Sequence, residues 1–124
     1  MSTIDLSSFK GLYIQTSREY IGKLRRGLEV LNKDPQNLEG ISEVHIAAHS
    51  LTTQAAITGY KNVELLCGTI EKIFKKLKEV KSVHPELLPL LMDATKKLSD
   101  CLDSIEKNDK EIDLSEITSK IEKI

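Results

Sequence analysis

The sequence predicts an all-α domain: an antiparallel four-helix up-down bundle, followed by a short amphipathic stretch that reads as a fifth C-terminal helix or the start of a linker. Three observations predict it. Apolar residues recur at spacings of three and four along most of the 124 residues, the pattern of helices with one buried stripe. The three prolines, Pro35, Pro85 and Pro89, each fall at or near a break in that pattern, where a helix ends or begins. Aromatic residues are 4% of the chain and Trp is absent, so the core is aliphatic, which suits packed helices better than stacked sheets.

The first helix is predicted over about Leu6 to Leu31. Its stripe is Phe9, Leu12, Tyr13, Tyr20, Ile21, Leu24, Leu28 and Leu31. "NKDPQN" then reads as a turn, with Asn and Asp ahead of Pro. The second helix runs from Leu38 or Ser42 to Ile57, with Ser42 as a candidate cap. Its stripe is Val44, Ala48, Leu51 and Ala55, with Ala47 alongside, and Gly59 in "TGY" supplies the stop. The third helix, Asn62 to Val80, buries Val63, Leu66, Ile70, Ile73, Phe74 and Leu77 and turns basic outside, at Lys72, Lys75, Lys76, Lys78 and Lys81. "SVHPELLPLL" opens the fourth, with Ser82 as candidate cap and Pro85 at an early helical position. Its stripe is Leu87, Leu88, Leu91, Ala94, Leu98, Cys101, Leu102 and Ile105. The bundle is thus expected over 1–108. The tail, 109–124, carries Leu114, Ile117, Ile121 and Ile124.

Composition narrows the function classes. A net charge of −1 gives no whole-domain footprint for nucleic acid. No apolar run reaches the roughly 18 residues of a membrane span, and "MSTIDLSSFKG" has no signal-peptide pattern. Cys67 and Cys101 are far apart, with no CxxC, and read as reduced buried thiols of a cytoplasmic protein. There is no phosphate loop, no HExxH and no spacing that supports a Ser/His/Asp triad.

Chemistry concentrates in "VHIAAHSLTTQAAITGY", residues 44–60. His45, His49, Thr52 and Ala56 form a stripe rotated about 100° from the buried one. His49 therefore lies at the core's edge or outside it, among side chains too small to shield it. Taken alone, it reads as a half-exposed structural histidine. An i, i+4 histidine pair is also half of a zinc site. Further ligands are lacking, because His84 falls in a loop and both cysteines fall on buried stripes, so no metal is expected.

"AAHSLTTQAAITGY" resembles the signature "AHSLKGxAxxxGF" of histidine phosphotransfer (HPt) domains. It is most similar to the type that begins the chemotaxis histidine kinase CheA. "LEVLNKDPQNLEGISEVHIAAHSL", "VELLCGTIEKIFKKL" and "HPELLPLLMDATKKLSDCLDSIE" resemble that family's successive helices in order, covering about Leu6 to Glu106. The resemblance implies a helical bundle in which His49 is the phosphoacceptor. A histidine kinase's ATP-binding domain would load it, and a response regulator's receiver domain would unload it. Glu71, 22 positions on, would hold the imidazole by Nδ1 and leave Nε2 nucleophilic. Glu71 alone would read as a solvated charge. Thr53, Ala56, His45, Lys72 and Lys75 would face the partners. ATP and Mg2+ would belong to those partners, the domain itself having no bound cofactor and no kinase activity of its own, and the isolated domain is expected to be a monomer.

Three departures stand out. Thr52 occupies the family's lysine position, Thr53 its glycine position, and Gly68 a position often held by histidine. Thr52 retains a hydroxyl donor, and Lys72 or Lys75 is a candidate substitute for the missing charge. Two other readings stay open: a degenerate docking module that binds a kinase or regulator without accepting phosphate, and a bundle that self-associates through 114–124.

Overall fold

The computed structural model describes residues 6–124. The first part of "MSTIDLSSFKG", read above for targeting signals, lies outside the described residues. Five helices follow in order: α1 (Leu6–Lys33), α2 (Leu38–Thr58), α3 (Lys61–Val80), α4 (Leu87–Asn108) and α5 (Ser115–Glu122). No strand occurs among the described residues. The stripes of α2 and α4 are buried as predicted, and those of α1 and α3 largely so.

The stripe of α1 needs one correction. Phe9 and Leu12 are 53% and 62% exposed; Tyr13 is buried as predicted, and Ile14 and Ser17, which the predicted stripe left out, are buried beside it. At 3.6 residues per turn, Leu12 stands about 100° round the helix from Tyr13, away from Ile14. The stripe enters the core at Tyr13, about one turn later than Phe9, where the sequence suggested it begins.

Helix ends follow local chemistry. The Asp34–Gln36 turn carries Pro35, and Asn37 caps α2 by accepting the Gly40 N–H on Oδ1 at 2.8 Å. Such a cap contributes about 1 kcal/mol. Ser42, the candidate cap, lies inside the helix instead. Gly40 and Ile41 are already buried, so packing against α1 fixes the earlier start. Gly59 ends α2 at φ 85°, its N–H bonded to the Ala55 carbonyl.

The fourth helix also starts later than expected. Neither Ser82 nor Pro85 is helical; α4 begins at Leu87 without a side-chain cap. Val83 is buried and its N–H reaches the Pro35 carbonyl at 3.1 Å. That contact docks the α3–α4 connection on the α1–α2 turn. The Leu87 N–H then closes a turn onto the His84 carbonyl. Pro89 sits in the first turn of α4, where its missing N–H costs no helical bond.

α1 packs on α2 and α4, and α2 packs on α3. Direct contact between α3 and α4 is slight; α5 lies against both and covers the seam. Leu114, Ile117 and Ile121 of the tail are each no more than 2% exposed. Three of the tail's four apolar residues are thus used within the chain, and Ile124 stays 50% exposed. Glu111, in the α4–α5 connection, accepts the Val63 N–H and an Asn62 amide proton at the start of α3. A carboxylate is favoured at that end of a helix. Among the described residues no helix is long and apolar enough to cross a membrane.

Candidate functional site

The site is built where α2 and α3 run antiparallel. Thr52 faces Gly68, and His49 faces Glu71. One turn further along, Lys75 and Lys78 come near enough to His45 to act on its charge.

His49 Nδ1 lies 2.5 Å from Glu71 Oε2. The histidine side chain is 63% exposed and the glutamate 25%. A carboxylate only accepts, so the proton of this bond is carried by Nδ1. In the neutral ring that leaves the lone pair on Nε2, the nitrogen away from Glu71. The ring is therefore oriented, in one tautomer, and open to a reactant.

Thr52 and Thr53 do not face a ligand with their hydroxyl protons. Thr52 Oγ1 donates to the Ala48 carbonyl at 2.7 Å, and Thr53 Oγ1 donates to the His49 carbonyl at 3.0 Å. The hydroxyl expected of Thr52 as a donor is bonded within its own helix. Its methyl group points at α3 instead.

That methyl explains what surrounds Gly68. A Cβ added there would meet Thr52 Cγ2 at 3.7 Å and nothing nearer, which is ordinary contact. Gly68 is thus not required by packing, and it carries the helix cost of glycine. Gly68→Ala is expected to stabilise the chain by about 0.5–1 kcal/mol. A rise in the urea midpoint is the measurement; a fall would show that the site rejects even a methyl group.

His45 is half-buried, and its Nδ1 is buried without a hydrogen-bond partner. Burial first, then the Lys78 charge, hold its pKa below the ordinary histidine value. Glu71 opposes this, and His49 and Lys75 add smaller pushes downward. Ala56 is exposed on the same side. Lys72 lies elsewhere: it lines a groove of about 830 Å³ formed with Ile73, Lys76, Leu77, Val83 and Ile121, on the α5 side of α3. Lys75 lies on the Glu71 side.

Two residues were missed in the sequence. Ile46 and Ile57 are 56% and 75% exposed on the outer face of α2, on either side of His49 along the helix. Their signal was present, since both fall off the buried stripe where polar residues are usual. Cys67 and Cys101 are free and buried. No group of three or more His, Cys, Asp or Glu is disposed to hold a metal among the described residues.

The model of the Hpt domain family matches residues 8–122. The chain belongs to the Hpt domain family. This Hpt domain is 26% identical over 121 residues to the chemotaxis protein CheA of Bacillus subtilis, a match over 96% of the chain and 18% of that protein. It spans less than a fifth of that relative. Among solved structures, the Hpt domain is similar to the CheA phosphotransferase domain from Thermotoga maritima. The TM-score is 0.76 and the identity 25%, covering 82% of this chain and 97% of that one.

Proposed function

We propose that this Hpt domain is a phosphotransfer intermediate of a chemotaxis-type two-component system, with His49 as its acceptor. The observation that carries the reading is the 2.5 Å contact of Nδ1 with Glu71 on a ring that is 63% exposed. The Nε2 lone pair attacks the γ-phosphorus of ATP held by a kinase domain. The P–N bond forms, the bond to the β-bridging oxygen breaks, and ADP leaves. The ring is then an imidazolium whose Nδ1 proton is shared with the Glu71 carboxylate. Attack by an aspartate of a receiver domain breaks the P–N bond and returns the neutral imidazole. The domain supplies one oriented nucleophile; the ATP site and its metal are the partner's. The likeness to CheA supports the assignment to chemotaxis-type signalling.

The experiment is incubation with a CheA-type kinase core and labelled ATP. The expected product is one phosphoryl group per chain, stable to base and lost in acid. No label from that core or from the cognate kinase would overturn the reading. One observation favours the docking-module alternative: Thr52 stands at the family's lysine position, and its hydroxyl proton is bonded to the Ala48 carbonyl of its own helix.

Glu71→Ala should slow labelling about 10- to 100-fold, the value of one hydrogen bond to a charged group. Circular dichroism should be unchanged, because Glu71 is outside the core. An unaltered rate would remove Glu71 from the mechanism.

A further inference from the structure

We propose that Lys75 supplies the positive charge for the phosphoryl group on His49. The proposal rests on the acceptor reading above and deepens it. On Nε2 the phosphoryl group carries negative oxygens that need a cation within hydrogen-bond reach, because charge-assisted bonds are the strong ones. α2 offers none: Thr52 and Thr53 are uncharged, and both hydroxyl protons go to α2 carbonyls. The helix that faces His49 across the site is α3, through Glu71, and it carries the nearby lysines.

Register selects among the lysines of α3. Lys72 stands about 100° round the helix from Glu71 and lines the groove against α5. Lys76 lines the same groove. Lys78 stands about 20° from Glu71, but on the flank toward the buried Phe74, and two turns along, beside His45. Lys75 is one turn from Glu71 and about 40° from it, on the solvent flank. The His49 side chain across from it is itself 63% exposed. Lys75 is exposed and makes no ion pair among the described residues. The charged and titratable groups around it are Glu71 and Glu79 on its own helix, Lys72 and Lys78 beside it, and His45 and His49 across from it. Its four-carbon stem lets the ammonium swing over the ring without moving either helix.

No bond to Lys75 is made or broken. Its ammonium donates to phosphoryl oxygens as the P–N bond forms, and Glu71 accepts the Nδ1 proton on the other side of the ring. Glu71 and Lys75 thus flank the imidazole, one holding the ring and the other receiving the incoming charge.

The test is labelling by a CheA-type kinase core and ATP at varied kinase-domain concentration. Lys75→Gln should lower kcat about tenfold at unchanged KM, whereas a mere docking role would raise KM. Lys75→Arg should keep most of the rate, and Lys76→Gln in the groove all of it. Adding Thr52→Lys to Lys75→Gln should restore labelling, because it places a cation one turn from His49 on α2. Label on the wild type with Lys75→Gln within twofold of it overturns the role of Lys75 alone. A loss in KM only does the same. No label on the wild type overturns the acceptor reading, and the role of Lys75 with it.

Discussion

His49→Gln is expected to abolish covalent phosphoryl label while leaving the fold intact. Glutamine keeps length and polarity, but its amide nitrogen has no free lone pair and cannot attack phosphorus. The side chain is mostly exposed, so little packing is lost. The other two histidines serve as internal controls. His84 is exposed, yet its Nδ1 accepts the Glu86 N–H at 3.2 Å. Its proton therefore sits on Nε2, the opposite tautomer to His49. His45 has no carboxylate on its Nδ1, which is buried. Exposure alone would favour His84 as well as His49; exposure together with a protonated Nδ1 favours His49 only. Label persisting in His49→Gln, mapped to either of the others, would sink the assignment. Matching thermal melts of wild type and variant would show that loss of label is not loss of structure.

The helices were readable because their stripes are long and aliphatic. Their ends were less so, since caps compete locally and tertiary contact decides. Asn37 and Ser42 both suit the start of α2; the burial of Gly40 and Ile41 against α1 selects Asn37. Ser82 and Pro85 suit a helix start, but Val83 is drawn onto Pro35 and the chain turns before Leu87. The tail read correctly as amphipathic, yet nothing local announced that Ile117 and Ile121 are buried where α5 meets α3 and α4. At the site, the outward position of His49 followed from stripe geometry. Glu71 did not: a single glutamate in "TIEKIFKK" is ordinary, and only the family spacing picked it out. Lys72 and Lys75 could not be separated in the sequence, because both lie within four residues of Glu71. The register of α3 on α2 and the position of α5 separate them.

Two glycines inside long helices look alike in the sequence and are expected to behave oppositely. Gly68 tolerates a methyl group. Gly27, buried in α1, does not: an added Cβ would lie 2.7 Å from Val44 Cγ2, 3.2 Å from the Gly40 carbonyl oxygen and 3.3 Å from the Val44 nitrogen. Two of these neighbours are backbone, and the third belongs to a β-branched side chain with one preferred rotamer in a helix. Nothing there can swing aside. The start of α2 must then move off α1, which disturbs the Asn37 cap and the packing of Val44. Overpacking of this kind costs about 1–3 kcal/mol, against roughly 1 kcal/mol regained from helix propensity. Gly27→Ala is therefore expected to lose up to about 2 kcal/mol. Gly27→Val adds two more methyl groups to the same gap, without the full propensity gain, and should lose about 3 kcal/mol or more. That is a large part of a typical stability of about 5–15 kcal/mol. Urea midpoints of both variants beside Gly68→Ala measure it. A Gly27→Ala midpoint at or above the wild type would mean that α1 and α2 do not approach as closely as described. The close approach matters beyond stability, because Gly27 and Gly40 seat the first turns of α2 on α1. The same helix, two turns later, carries His49 to its place opposite Glu71. A Gly27 variant that stays folded in dilute urea should therefore label more slowly than its stability alone requires.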